Sequence, residues 1–170
     1  MKRIASLAFL LAVAISFALA QTAYKLPPKE VVDILDAPPT PVVLVSPRSD
    51  ALLLVEYQSQ PSIALLAKPI LRLGGLRIDP ELRSRQRTVQ YTGIVVRRVD
   101  VEKTVRVLLP EGSRIGMPSW SNDGSKIAFT RDVEGGVELW VAEAATGKAK
   151  AVGSFRVNDV LGSPFQWLSD

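Results

Sequence analysis

Hydrophobic and polar residues alternate along several short runs of this chain, and the clearest run follows a polar turn at residues 121–125. Asp123-Gly124 at the centre of that turn favours a tight hairpin, because glycine readily adopts the positive φ angle that such a turn requires. Beyond the turn, Ile127 and Phe129 point to one side of a predicted strand while their neighbours point to the other. The pattern predicts a β-sheet with one buried face.

Three further segments complete a four-stranded unit around this turn. An extended run ends at Trp120, a second apolar strand at residues 137–141 contains Trp140, and a turn at Gly147 leads into a short strand at residues 149–152. Four consecutive antiparallel strands within about forty residues are typical of one blade of a β-propeller.

The unit recurs along the chain. Trp167 follows Trp120 by 47 residues, which is close to the usual length of a propeller blade. Upstream, residues 45–54 match the start of the unit 75 positions earlier, and residues 96–107 match its second half 45 positions earlier. Because the two shifts differ by 30 residues, the upstream unit is predicted to carry an insertion at about residues 58–90.

These repeats predict an all-β fold of four-stranded antiparallel propeller blades, in which an incomplete propeller holds about two blades and the start of a third. The predicted segments are a signal peptide at 1–20, a lead-in segment with a short helix at 21–41, a first blade with the insertion at 42–108, a second blade at 115–153 and the truncated start of a third blade at 158–170. Because a propeller needs about four to eight blades to close, we expect the chain to be an amino-terminal fragment or a truncated gene product.

The lead-in segment and the insertion give less regular patterns. Residues 28–36 predict a short helix with a proline in its first turn, and residues 61–67 predict another helix, capped by Ser62. Residues 71–80 alternate around a pair of glycines, which predicts a strand with a bulge or a sharp bend. The polar, arginine-rich residues 81–90 predict an exposed loop.

The amino terminus has the pattern of a secretory signal peptide. Two positive charges in residues 1–3 precede an apolar stretch that ends in Ala-Leu-Ala at residues 18–20, a typical cleavage sequence. The pattern predicts export to the periplasm or the extracellular space, with no stable membrane anchor after cleavage. The alternative is an uncleaved anchor at the short limit for a membrane span.

The sequence contains no histidine and no cysteine. These absences exclude a lipoprotein anchor, disulfides, a Ser-His-Asp triad, a Cys-His dyad and a zinc site built from histidine or cysteine. No catalytic, cofactor-binding or metal-ligating residue is therefore predicted. The formal net charge is +4, with the excess concentrated between residues 68 and 114. Because those basic residues are scattered and few aromatics accompany them, a solvated face or a docking surface for another domain is favoured over nucleic-acid binding.

Three segments carry a resemblance to a known family. Residues 26–41, which begin Leu-Pro-Pro-Lys-Glu, residues 71–80 and residues 120–129 together resemble the start of an exported serine peptidase of the prolyl oligopeptidase family, in its glutamyl-peptidase-like and acylaminoacyl-peptidase-like branch. In that family an amino-terminal propeller covers a carboxy-terminal α/β-hydrolase domain that carries the catalytic triad. The resemblance implies that this chain restricts access to the active site and helps to bind peptide substrates, without catalytic residues or a cofactor of its own.

The Trp-Ser-x-Asp-Gly pattern also resembles TolB-type propellers, so a non-enzymatic periplasmic propeller that binds a partner protein is the alternative. Residues 48–50 depart from the pattern, because the Asp-Gly pair is displaced there. The tryptophans are expected to pack between blades, and Asp123 is expected to cap its turn. The predicted structural repeat positions are Trp120, Asp123, Gly124, Phe129, Trp140, Gly147 and Trp167.

Three arginines in the insertion, Arg83, Arg85 and Arg87, are expected to be exposed charges. A second interpretation is that they contact an acidic substrate or the hydrolase domain.

Overall fold

The computed structural model of the protein describes residues 25–168. The predicted signal peptide at residues 1–20 and the last residue, Asp170, lie outside the described part. The chain divides into two compact units, Met1–Ala37 and Pro38–Asp170. Each unit is described by itself.

In the first unit, helix α1 (Lys29–Leu35) begins after Pro28, whose carbonyl accepts hydrogen bonds from the backbone of Val31 and Val32. The helix predicted at residues 28–36 is confirmed. Its apolar side chains are exposed, at 75% for Ile34. Within residues 25–168, no helix is long and apolar enough to cross a membrane.

The second unit consists of short strands and one short helix. In chain order its elements are β1 (Val42–Val45), β2 (Ala51–Gln58), α2 (Ile63–Leu66), β3 (Leu71–Leu73), β4 (Leu76–Asp79), β5 (Ser84–Arg85), β6 (Gln90–Arg98), β7 (Thr104–Arg106), β8 (Ser119–Trp120), β9 (Lys126–Val133), β10 (Gly136–Glu143) and β11 (Ala149–Ala151). The helix α2 has the cap predicted for it, because the Ser62 hydroxyl accepts a hydrogen bond from the Leu65 backbone at 3.2 Å.

The strands form three antiparallel sheets. The first sheet has the order β1-β2-β6-β7, the second sheet has the order β8-β9-β10-β11, and the insertion sheet has the order β3-β4-β5. The first and second sheets are meanders, and the insertion enters the first sheet between β2 and β6. The prediction of an all-β fold with four-stranded antiparallel sheets is confirmed, and the described strands close into no barrel.

The first and second sheets share one hydrophobic core. In a strand, alternate side chains point to the same face, and residues opposite each other across an antiparallel pair share that face. Accordingly, the buried side chains of this shared core fall at alternate positions, namely Leu53, Val55, Ile94 and Val96 of the first sheet and Ile127, Phe129 and Ala142 of the second. The opposite face of the second sheet also carries almost fully buried residues, namely Ala128, Thr130 and Val137. Burying each large aliphatic or aromatic side chain stabilises the fold by about 1.5–3 kcal/mol.

The connection between the two sheets is itself bonded to both. The Ile115 amide donates to the Tyr91 carbonyl of β6 at 3.0 Å, and the Gly116 amide donates to the Thr130 carbonyl of β9 at 2.9 Å. Because the two carbonyls belong to different sheets, this segment links β6 of the first sheet to β9 of the second.

The insertion differs from its prediction at the glycine pair. Residues 71–80 form a hairpin, in which β3 and β4 pair in register from Leu71 to Ile78. Gly74 and Gly75 make the two-residue turn, with φ angles of +54° and +86°, as a type I′ turn requires. The expected bulge or sharp bend was therefore wrong, because a bend and a tight turn leave the same pair of glycines in the sequence.

Residues 81–90 also differ from the exposed loop that the sequence predicted. Strand β5 pairs with β4, and Ser84 is only 1% exposed. Ser84 also forms a parallel bridge with Asp159. Apart from that bridge, residues 158–168 form no strand, so the start of a third blade stays a prediction.

Candidate functional site

The turn that leads into β9 is fixed by its own side chains. The Ser121 hydroxyl donates to Asp123 Oδ1 at 2.6 Å, and the Ser125 amide donates to the same oxygen at 3.0 Å. Gly124, with φ at +69°, donates its amide to the Ser121 carbonyl. The hydrogen bond from Ser121, together with those from Ser125, holds the pKa of Asp123 well below its usual range. Asp123 therefore stabilises its turn as a carboxylate.

The first sheet makes an equivalent turn from a different sequence. The Ser46 hydroxyl donates to Asp50 Oδ1 at 2.8 Å, and Ser49 donates its amide to the Ser46 carbonyl at 2.9 Å. Ser49 has φ at +57° and lies 75 positions before Gly124. The displaced Asp-Gly pair is thus replaced by a serine in the left-handed conformation and a carboxylate one position later than Ser49.

The same kind of tryptophan hydrogen bond occurs at two places in the chain. Trp120 donates its indole Nε1–H to the Leu44 carbonyl on β1 at 3.3 Å. Trp167 donates its Nε1–H to the Ser119 carbonyl on β8 at 3.4 Å. Leu44 and Ser119 are 75 positions apart and belong to the first strands of their sheets. Each tryptophan therefore bonds the same place in the sheet that precedes it.

The aromatic residues in the middle of the second sheet pack against each other. The Phe129 side chain is fully buried, and its ring stacks with that of Trp140 at 6.5 Å between ring centroids. Trp140 is half-buried, donates to Glu138 Oε2 at 2.9 Å and lies under the Arg131 guanidinium. The Phe129 ring and the indole N–H of Trp140 thus both make their contacts with other residues of this chain.

The two sheets approach each other closely at Gly147. Its carbonyl accepts a hydrogen bond from the Leu108 amide at 2.8 Å. A Cβ atom at this position would lie 2.3 Å from the Arg106 carbonyl oxygen, and φ is +72°. Both the backbone conformation and the neighbouring chain therefore require glycine here.

A groove of about 980 Å³ opens beside the second sheet. Its walls come from the insertion, from β8 and from residues 162–167, and its larger side chains include Tyr91, Met117, Phe165 and Trp167. Ser119 and Thr130 also line it, on the second-sheet face opposite to the shared core. The groove therefore lies next to part of that face, on which Ala128, Thr130 and Val137 are already almost fully buried.

Arg87, one of the three arginines noted in the sequence of the insertion, forms the polar wall of this groove. Arg87 pairs with Asp159, which is only 4% exposed, and the Arg85 amide donates to the Asp159 carbonyl at 2.9 Å. Arg87 is half-buried, so the expectation of an exposed charge was wrong for this residue, whereas the side chains of Arg83 and Arg85 are exposed. No local pattern predicts this pair, because Asp159 lies 72 residues away.

A second carboxyl group near this wall, that of Asp132, lies where burial disfavours its charged form. Burial raises the pKa of Asp132, and the nearby Arg114, whose Nε lies 3.8 Å from Oδ2, opposes that rise. In residues 25–168, no group of three or more histidine, cysteine, aspartate or glutamate side chains could hold a metal ion. Ser119 and Ser121 have no histidine or cysteine partner anywhere in the sequence.

The comparisons with curated proteins return peptidases. The chain is 38% identical over 142 residues to a probable glutamyl endopeptidase, chloroplastic, of Oryza sativa subsp. japonica, a match that covers 77% of this chain and 15% of that protein. It is 34% identical over 163 residues to the protein of the same description from Arabidopsis thaliana, covering 88% of this chain and 17% of that protein. The chain thus spans about a sixth of the length of these relatives. No protein-family model matches it.

Among solved structures, the fold is similar to a putative dipeptidyl aminopeptidase IV from Bacteroides ovatus ATCC 8483, with a TM-score of 0.41 and 12% sequence identity. The similarity covers 69% of this chain and 18% of that one. The two plant relatives are homologues of this chain that are named as peptidases.

Proposed function

We propose that this chain is the propeller portion of an exported serine-type peptidase of the prolyl oligopeptidase family. In this proposal the propeller covers an α/β-hydrolase domain and limits the size of peptide that reaches its active site. The observation that carries the proposal is the repeated tryptophan contact. Trp120 bonds the first strand of the first sheet, and Trp167 bonds the first strand of the second sheet.

A contact that each unit makes to the preceding unit can continue around a ring. The first sheet presents one face to the second sheet, and the second sheet presents its opposite face to residues 162–167 and the groove. Blades of a propeller stack in this way, each buried only against its neighbours. The groove is then the place for the inner strands of a third blade.

The peptidase part of the proposal is supported by the two plant relatives, which are named as probable glutamyl endopeptidases. Peptides with glutamate are accordingly the substrates we propose for the whole enzyme. The catalytic serine, histidine and aspartate would come from the hydrolase domain, since this sequence contains no histidine. The role of this chain is access and positioning.

Export is proposed from the sequence of residues 1–20. The plant relatives are named as chloroplastic, which describes those proteins. The test is expression of the full chain in a Gram-negative bacterium, followed by amino-terminal sequencing of the periplasmic fraction. We expect a mature protein that begins at Gln21; an uncleaved protein in the cytoplasm would contradict export.

The peptidase proposal is tested with a chimera. Residues 38–168 replace the matching segment of the rice relative, and hydrolysis of a short glutamate-containing peptide is compared with hydrolysis of a folded protein. We expect the chimera to cleave the peptide and spare the folded protein. A variant lacking the segment should attack larger substrates if it folds.

Two outcomes would contradict the proposal. One is a folded chimera that cleaves neither substrate, and the other is a folded deletion variant with an unchanged size limit. A folded but inactive chimera would favour the alternative of a TolB-like propeller that binds a partner protein. Circular dichroism of each variant establishes whether it folds.

A further inference from the structure

The insertion sheet has an open edge. Its order is β3-β4-β5, so β3 has a partner strand on one side only. All three residues of β3 are exposed, with Leu71 at 57% and Leu73 at 68%. An exposed edge strand presents unpaired amide and carbonyl groups to any extended chain that approaches it.

The register shows which backbone groups are free. In a two-residue hairpin, the residues that flank the turn exchange both backbone hydrogen bonds, and the next pair points its groups outward. Leu73 and Leu76 flank the turn here, and Arg72 and Arg77 form the next pair. The Gln86 amide donates to the Arg77 carbonyl at 2.8 Å, on the β5 side. The amide and carbonyl of Arg72 therefore point to the open edge.

The two faces of this hairpin have different chemistry. Arg72 and Arg77 lie directly opposite each other on one face, where like charges destabilise a sheet. The other face carries Leu71 and Leu73, with Leu76 and Ile78 beside them. A strand added at the edge would therefore meet positive charge on one face and apolar side chains on the other.

The arginines of the insertion sheet, and Arg83 just before β5, make no ion pair within the described residues. The ion pairs there include Lys68 with Glu81 and Arg87 with Asp159. None of the ion pairs in residues 25–168 involves Arg72, Arg77, Arg83 or Arg85. A carboxylate supplied from outside would make charge-assisted hydrogen bonds with them.

The back of the sheet is firmly held. Asp79 is buried and accepts hydrogen bonds from the amides of Glu81 and Leu82, and Ser84 is bridged to Asp159. The Asp79 hydrogen bonds order the turn between β4 and β5, and the contacts with Asp159 tie β5 to residues 158–168, so the open edge at β3 belongs to an anchored sheet. A preorganised edge loses less conformational entropy on binding than a free hairpin would.

We propose that the open edge of β3 binds an extended polypeptide segment that alternates acidic and apolar residues, as a fourth strand of the insertion sheet. Its backbone pairs with the amide and carbonyl of Arg72. Its acidic side chains face Arg72 and Arg77, and its apolar side chains cover Leu71 and Leu73. Strand addition of this kind takes affinity from backbone hydrogen bonds and specificity from alternate side chains. The proposal rests on the insertion sheet alone and goes beyond the peptidase proposal.

The test uses the full chain and a fluorescein-labelled octapeptide of alternating glutamate and valine, with binding followed by fluorescence anisotropy. A peptide of the same composition with its glutamates and valines in two blocks is the first control. The alternating peptide with alternate amides N-methylated is the second, because N-methylation blocks strand pairing and leaves the charge unchanged. We expect each control to bind at least about tenfold more weakly.

Variants of the protein locate the site. Arg72→Gln with Arg77→Gln should weaken binding at least about tenfold, as expected for lost charge-assisted pairs. The matched variant Arg97→Gln with Lys150→Gln removes the same charge from exposed strand positions outside the insertion and should change the dissociation constant by less than about twofold. Hydrogen exchange at the Arg72 amide should slow when the peptide binds.

The proposal is overturned if the block or N-methylated peptide binds as well as the alternating one. Equal weakening by both double variants would also overturn it, since net charge alone would then explain binding. An oligouridylate of equal charge that binds more tightly through the same two arginines would assign the surface to nucleic acid. Because the peptide controls need no protein variant, a variant that fails to fold leaves the test intact.

Discussion

Val45 and Trp120 occupy equivalent places in the two four-stranded sheets, 75 positions apart, and their surroundings differ completely. Trp120 ends the first strand of the second sheet and is 9% exposed, packed into the core shared with the first sheet. Val45 ends the first strand of the first sheet and is 59% exposed. The difference in exposure arises because the first sheet covers the face that carries Trp120. Within the described residues, no sheet covers the face that carries Val45.

The turns between the last two strands of each sheet show the same contrast. Glu102 and Gly147 lie 45 positions apart, and both have positive φ, at +49° and +72°. Gly147 is buried against the Arg106 carbonyl, whereas Glu102 is exposed. The turn alone therefore tolerates a side chain at some cost, and the approach of a second sheet is what excludes it.

The largest expected effect is at the buried tryptophan. Trp120→Ala should lower the free energy of unfolding by about 3–5 kcal/mol, the usual cost of removing a large buried aromatic side chain. Val45→Ala, at the equivalent place in the first sheet, should change it by about 0.5 kcal/mol or less because the side chain is already exposed. Urea denaturation of the full chain measures both changes. Equal effects would show that Trp120 does not depend on its contact with the first sheet.

A smaller effect is expected at the turn glycine. Gly147→Ala should cost about 2 kcal/mol or more, because a non-glycine residue with positive φ costs about 1–2 kcal/mol and the new methyl group would collide with the Arg106 carbonyl. Glu102→Ala is the matched control and should have little effect, since the native residue already accepts that conformation. If Gly147→Ala were as mild as its control, the close approach of the sheets would be disproved.

The sequence predicted the strands of both sheets well because their evidence is local. Alternation, aromatic residues and glycine turns lie within each strand pair, as between Phe129 and Trp140. The equivalent turn at residues 46–50 was harder, since serine takes the conformation that glycine takes elsewhere. The match to the second unit, 75 positions later, located this turn, although its own residues do not form a typical turn sequence.

The insertion and the groove were predicted poorly because their contacts are distant in sequence. The pairing of Arg87 with Asp159 and the burial of Ser84 depend on where residues 158–168 return to the insertion. No periodicity connects those segments. The alternation of β3 and β4 was visible in the sequence. The pair of glycines between them, however, is compatible with both a two-residue turn and a bend within one strand. The open edge at β3 therefore emerged only from the sheet order.

The smallest expected effect concerns the carboxylate of the second sheet's first turn. Arg48 in the first sheet lies 75 positions before Asp123, so the two turns differ in charge at this place. The pKa of Asp123 is lowered in the folded protein, chiefly by the Ser121 hydroxyl. A lowered folded pKa contributes stability above the unfolded pKa of about 3.9, and that stability is lost as the pH falls through the folded value.

Asp123→Asn should therefore lower the stability at neutral pH and reduce its loss on acidification below about pH 4. The wild-type and variant proteins should approach each other in free energy of unfolding as the pH falls, measured by urea denaturation from about pH 7 to about pH 2. Glu111→Gln, in the exposed connection between the sheets, controls for the loss of one negative charge. A constant difference between wild type and Asp123→Asn across this range would show that the carboxylate does not support the turn through its charge.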